Sequence, residues 1–299
     1  MPSSVITDAM RRAILLSAHG LGSTSPNPPV GCVILDSNGV IVGEGYHERK
    51  GESHAEAHAL RAAGARARGG TAVVTLEPCN HVGRTPACHQ ALIDAQVANV
   101  AVALIDPTSR GEGGIALLRR AGVNVEVGVL ANEARLVVGP WLDALEARRP
   151  FTTLAYRLSA SGISSADSAL LCERRHQFDA VLDLSGFLEE GRAGAHRPDV
   201  MSLPGLRPPY DPKSTLEALY TGGVRSLLLL GPPDMVAPFL VSQTIDRIEV
   251  ESTLVTGSSQ QESGWECLPP GYRWTSFTRT RVGVLGYAVQ YNDTSANVN

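Results

Sequence analysis

His54 is followed two residues later by Glu56, and further along stand two cysteines, Cys79 and Cys88. One imidazole and two thiolates suit a tetrahedral zinc ion and leave the fourth position open, the pattern of a catalytic rather than a structural site. Zinc lowers the pKa of a bound water to about 7. Glu56 is placed to take that proton and deliver it to a ring nitrogen and then to a leaving amine. The expected chemistry is hydrolytic loss of an amino group from a ring carbon, with ammonia released. Eight residues separate the cysteines, whereas the nucleic-acid deaminases have the short Cys-x-x-Cys gap.

These residues need strand-to-helix junctions. Residues 54–63 are alanine-rich and read as a helix opened by His54, and 71–76 read as a strand running into the Glu77-Pro-Cys79 loop. Residues 87–95 read as the helix that Cys88 opens. Helix N-termini stabilise thiolates. Around them, a helix is expected over 8–19, on the stripe Met10, Ala13, Ile14 and Ser17. Short strands are expected over 30–35 and 40–44, joined through Asp36-Ser-Asn-Gly39. Strands at 100–105 and 123–129 and helices at 115–121 and 131–147 complete a β-β-α-β-α-β-α-β order, a mixed sheet with helices on both faces. The other histidines are secondary. His58 lies four residues after His54 and offers a second metal pair, less favoured because Cys79 and Cys88 complete the site. His81, in the insert between the cysteines, is expected to meet substrate, and His89 to face solvent. Cys32, Cys172 and Cys267 are read as buried small hydrophobes.

The chain has 299 residues, 43% of them hydrophobic, and a formal charge of −4. The length favours two domains, and the boundary is placed at Arg148-Arg-Pro150, giving 1–147 and 148–299. Five cysteines make no disulfide framework. The charge gives no support for a nucleic-acid partner. No apolar run reaches the roughly 18 residues of a membrane helix, and the N-terminus lacks a signal-peptide pattern. A cytoplasmic protein is expected. In the second half, strands are expected at 151–158, 224–230, 245–251 and 282–290, and a helix near 236–242. Residues 186–209 show little periodicity.

Taken with the insert, the chain resembles the bifunctional deaminase–reductase family of riboflavin biosynthesis. The resemblance is carried by Ser25-Pro-Asn-Pro-Pro-Val-Gly-Cys32, Val42-Gly-Glu-Gly-Tyr-His47, His54-Ala-Glu-Ala-His58, the run from Thr75 to Cys88, and Asp106-Pro107. It implies a cytidine-deaminase-like α/β/α sandwich followed by a dihydrofolate-reductase-like α/β domain. It also implies a substrate, 2,5-diamino-6-ribosylamino-4(3H)-pyrimidinone 5′-phosphate, deaminated at C2. By position, His54, Cys79 and Cys88 would hold Zn2+ and Glu56 would shuttle protons. Asn27, His47, His81, Arg84 and Asp106 would contact base, ribose or phosphate; an arginine matches a phosphate's geometry.

Two regions depart from the family. After Asp106-Pro107 the family continues Asn-Pro, whereas this chain reads Thr-Ser-Arg-Gly-Glu-Gly-Gly114. In the second half the family's lysine is Ala155, its aspartate is Ser161, and its glycine loop is Asp183-Leu-Ser-Gly-Phe187. Its Glu-Gly-Gly is Leu230-Gly-Pro-Pro233, and proline removes an N–H donor from any phosphate cradle. The expectation is an intact deaminase with a degenerate reductase-like domain, no NADPH site, and pairing into a homodimer or higher homo-oligomer. The alternatives are a still-bifunctional enzyme that uses NADPH, or a deaminase for a related aminopyrimidine in a specialised pathway.

Overall fold

The central strands of the first sheet are buried along almost their whole length, because successive residues face opposite sides and both sides are covered. The structure is a computed structural model that describes residues 3–81, 87–159, 162–165, 174–183, 187–207, 209–233, 236–253, 268–279 and 283–290. In it the chain divides into two compact units. One comprises residues 1–146 with 195–201, the other residues 147–194 with 202–299.

The first unit has five strands, β1 (Gly31–Leu35), β2 (Ile41–Tyr46), β3 (Thr71–Leu76), β4 (Asn99–Leu104) and β5 (Asn124–Val127), in the order β2-β1-β3-β4-β5. β1 is antiparallel to β2 and β3, and β3, β4 and β5 are parallel. One face presents Cys32, Ile34, Ala72, Val74, Val100 and Val102 to the helices α2 (Ala55–Ala63), α3 (Cys88–Asp94) and α4 (Gly113–Arg120). The other presents Val33, Leu35, Val73, Ala101 and Ala103 to α1 (Ser4–Ala18) and α5 (Ala131–Ala147). This is the expected mixed sheet between two helical layers. α1 starts four residues before the expected helix because the Ser3 hydroxyl caps it, accepting from the Ile6 N–H.

Two glycines seat α2. A Cβ on Gly43 would lie 2.1 Å from the Ala59 carbonyl oxygen, and one on Gly45 would lie 2.5 Å from that of Ala55. Only glycine lets β2 and α2 approach so closely, and this contact sets the height of the helix start that carries His54 and Glu56.

The second unit places four parallel strands at its centre: β6 (Phe151–Ser159), β8 (Ala180–Asp183), β10 (Ser226–Leu230) and β11 (Arg247–Thr253). The sheet runs β12-β13-β11-β6-β10-β8-β9, with β9 (Leu188–Glu190), β12 (Tyr272–Arg279) and β13 (Gly283–Gln290) antiparallel to their neighbours. β7 (Gly162–Ser165) pairs with β6. Helices α6 (Pro212–Thr221) and α7 (Ala237–Val241) precede β11. The sequence reading misses β7, β8, β9, β12 and α6. Three of those strands have only three or four residues, too short for a periodic signal, while α6 carries a start signal in Asp211 and Pro212. The Asp211 carboxylate accepts from the Ser214 N–H. Arg149 forks onto Asp246 at 2.6 and 2.7 Å, and Asp246 also accepts from the Thr152 N–H. That pair fastens the start of β6 to β11. Among the described residues, no helix is long and apolar enough to cross a membrane.

Candidate zinc-dependent deaminase site

His54 is the N-cap residue of α2, with extended backbone. Cys79 lies in the loop beyond the carboxyl end of β3, and Cys88 opens α3. In α/β sheets the carboxyl ends of parallel strands are where ligands bind. His54 Nδ1 lies 3.5 Å from Cys79 Sγ and 3.3 Å from Cys88 Sγ, and all three donor atoms fall within 4.8 Å of one another. Zn–S bonds of about 2.3 Å and a Zn–N bond of about 2.0–2.1 Å at the tetrahedral angle require S···N edges of about 3.6 Å. The three donors therefore fit a zinc ion. They are the only group of three or more potential ligands found among the described residues; His58 does not join them.

The electrostatics agree with a metal centre. Cys79 is held down to about 4, chiefly by the hydrogen bond from the Cys88 thiol and with help from His54, against the effect of burial. Cys88 is pushed well above the usual thiol range by that same bond and by burial. Holding a zinc ion requires both sulfurs as thiolates, so metal binding there would release protons. His54 is raised, first by its hydrogen bond with Cys79. Glu56, in the first turn of α2, is 3% exposed. Burial pushes its carboxyl up, while the His54 imidazole pulls it down. A raised carboxyl beside the ligands is suited to passing a proton in both directions.

His47 sits behind His54, the two rings edge to face with centroids 5.1 Å apart. Its Nδ1 is 3.2 Å from the Ser53 carbonyl oxygen and its Nε2 is 3.3 Å from the Asn27 amide nitrogen. Burial, and then the neighbouring His54, lowers it to about 4. Asp106 begins the turn after β4, where its Oδ1 accepts from the N–H and hydroxyl of Thr108. His81 is exposed in the insert. Arg84 lies outside the described residues, as do Cys172 and Cys267. The structure corrects His89: it does not simply face solvent, since its Nδ1 lies 3.2 Å from the Cys79 carbonyl oxygen and braces that ligand's backbone. Cys32 is fully buried, and burial raises its thiol well above the usual range.

Three supporting residues escape the sequence reading. Glu77 accepts from the Ile115 N–H at 3.0 Å and the Asp106 N–H at 3.3 Å. Asn80 accepts from the Arg110 N–H and donates to its carbonyl. Together they tie the zinc loop to the divergent 106–114 segment. Trp141 of α5 donates from Nε1 to the Pro26 carbonyl oxygen at 2.9 Å. Glu77 and Asn80 flank a metal ligand, a signal that could have been used. Trp141 is 115 residues from its partner and gives none.

The sandwich and its three-donor centre define a zinc-binding deaminase domain. The family described as the cytidine and deoxycytidylate deaminase zinc-binding region matches residues 3–104. More narrowly, the chain belongs to the diaminohydroxyphosphoribosylaminopyrimidine deaminase family of riboflavin biosynthesis. It is 49% identical over 127 residues to the diaminohydroxyphosphoribosylamino-pyrimidine deaminase of Buchnera aphidicola subsp. Schizaphis graminum, covering 42% of this chain and 86% of that protein. It is 47% identical over 154 residues to the riboflavin biosynthesis protein RibD of Escherichia coli K12, covering 51% of this chain and 42% of that one. The chain thus matches less than half the length of the E. coli protein. The structure of Acinetobacter baumannii RibD superposes with a TM-score of 0.75 at 26% identity, covering 96% of this chain and 99% of that one. The likeness of fold therefore continues through the second unit.

Proposed function

We propose that the first unit, drawn at 1–147, hydrolyses the C2 amino group of 2,5-diamino-6-ribosylamino-4(3H)-pyrimidinone 5′-phosphate. The products are 5-amino-6-ribosylaminouracil 5′-phosphate and ammonia. The observation that carries the reading is the convergence of His54, Cys79 and Cys88 within 4.8 Å, with buried Glu56 two residues from the first ligand. His54, Cys79 and Cys88 would hold a zinc ion, which when bound would supply an acidified water. Glu56 would take a proton from the attacking water, pass it to the ring nitrogen next to C2, and afterwards carry the second proton to the departing amine. One C–N bond breaks, one C–O bond forms, and the proton count closes with ammonia. Asn27 and His47 form the wall beside His54. His81 and Arg84 supply the insert's contacts to the phosphate, and Asp106 orients the loop at the mouth of the site.

The second unit, drawn at 148–299, performs no reduction in this reading. Ala155, where the family has lysine, is fully buried in an apolar cluster with Phe178, Val181 and Leu228. β10 ends at Leu230 and is followed by Gly231-Pro-Pro233, where two residues have no N–H to offer a phosphate. Its role is to pair subunits into a homodimer or higher homo-oligomer. The protein works in the cytoplasm without a nucleic-acid partner, which its charge of −4 supports. A second reading, a related aminopyrimidine as substrate, is favoured by the 106–114 segment, whose Gly113 and Gly114 press against Glu77 and Pro78.

The test is turnover of the ribotide by zinc-loaded protein, followed by mass spectrometry and ammonia release, with and without NADPH. The expected result is the uracil ribotide alone, unchanged by NADPH. Zinc-loaded protein that releases no ammonia overturns the substrate. Saturable NADPH binding with a ribityl product overturns the non-catalytic second unit.

A further inference from the structure

The hydrogen bonds around His47 assign its proton. The Ser53 carbonyl oxygen, 3.2 Å from Nδ1, can only accept, so Nδ1 carries the hydrogen. The other nitrogen, Nε2, then presents a lone pair, and the Asn27 amide must turn its NH2 toward it at 3.3 Å. Both nitrogens of this ring, which is 3% exposed, are thereby spent inside the protein. What Asn27 has left is its Oδ1 and the second hydrogen of its NH2, neither with a hydrogen-bond partner among the described residues.

The backbone under Asn27 is fastened from the opposite helical layer. Trp141, 6% exposed on α5, donates to the carbonyl of Pro26, the residue just before Asn27. The Asn27 N–H is itself tied to the Thr24 carbonyl at 3.0 Å. A local turn and one long-range bond thus set the position of the backbone, and His47 sets the rotation of the amide.

We propose that His47 and Trp141 are positioning residues that act through Asn27, fixing its amide so that Oδ1 and the one remaining N–H meet a ligand in a set orientation. A ligand that Asn27 reads must then match a fixed pair, a hydrogen-bond donor toward Oδ1 and an acceptor toward the remaining N–H. His47 shapes the ligand's surroundings without touching it. The inference rests on reading the first unit as a deaminase.

The experiment compares zinc-loaded wild type with Trp141→Phe, His47→Leu and His47→Gln in the full chain. Trp141→Phe keeps the ring and removes one neutral hydrogen bond. It should retain zinc and keep kcat within about twofold, while KM for the ribotide rises about 2- to 12-fold. His47→Leu should raise KM at least as much, and His47→Gln, whose amide oxygen can accept from Asn27, should recover most of the loss. Nitrogen-15 NMR of the wild type should find the His47 proton on Nδ1. A proton on Nε2 overturns the lock. A Trp141→Phe enzyme with lowered Tm but unchanged KM overturns its positioning role. If wild type deaminates no aminopyrimidine ribotide, the functional reading fails. The His47 tautomer and the shift of the Asn27 side-chain amide in Trp141→Phe then still decide the network.

Discussion

Glu77→Gln tests how a helix is held at the rim of the metal site. α4 begins at Gly113, and its N-cap residue, Glu112, makes no side-chain cap. The first N–H groups of a helix need acceptors, and Glu77 supplies one from 38 residues away through Oε1 to the Ile115 N–H. Its other oxygen accepts from the Asp106 N–H. Hydrogen bonds to a charged group contribute about 1.5–3 kcal/mol, and a carboxylate at a helix N-terminus typically adds about 0.3–1 kcal/mol. Glutamine keeps one acceptor and turns an NH2 toward a backbone N–H, in a side chain that is only 6% exposed. The loss is one strong bond, the dipole contribution and a new donor–donor contact, about 3 kcal/mol in all. For a unit of this size that corresponds to a Tm lower by about 6–12 °C. Because the two units need not melt together, the assay is hydrogen exchange of the α4 amides, read alongside calorimetry of the zinc-loaded chain. Protection over Gly113–Arg120 should fall far more than protection in the second unit. If α4 exchanges as slowly in Glu77→Gln as in wild type, the remote cap contributes nothing and the reasoning is wrong.

Glu56→Gln should bind zinc and melt as wild type does, yet lose turnover by at least about 10²–10⁴-fold. Near-normal rates in a steady-state assay would remove Glu56 from proton transfer. Gly45→Ala would put a methyl 2.5 Å from the Ala55 carbonyl oxygen and 2.6 Å from His58 Cβ. α2 must then lift, and zinc affinity measured by competition with a chelator should fall at least tenfold; unchanged affinity would show that the helix start is not set by this contact. Tyr272 lies partly buried, with its hydroxyl donating to the Ile245 carbonyl at 2.7 Å, and burial pushes it up to about 12. The folded state keeps that proton while an unfolded tyrosine loses it near pH 10. Stability from this group is therefore complete below about pH 10 and lost as pH rises toward 12. Urea melts of Tyr272→Phe should show a shallower alkaline decline across that window.

The metal centre was legible because its chemistry is local. His54 and Glu56 share the start of one helix, and Cys79 and Cys88 bracket one loop, so residue type and spacing suffice. The elements of the first unit were legible for a similar reason, since continuous apolar runs and 3.6-residue stripes reflect a sheet covered by helices on both sides. In the second unit three short strands carry too few residues to show a period, and their places follow from pairing with β6, β8 and β10. Only the folded chain joins residues far apart in sequence: Glu77 to Ile115, Trp141 to Pro26, and Asn27 through His47 to Ser53. All but the Asn27–His47 bond run from a side chain to a backbone group, and a carbonyl or an N–H has no residue type to betray it. Sequence determined which atoms can hold the metal and move a proton. Tertiary structure decided which way Asn27 faces, what caps α4, and how near α2 lies to β2. Those depend on distances between layers, and no spacing along the chain encodes them.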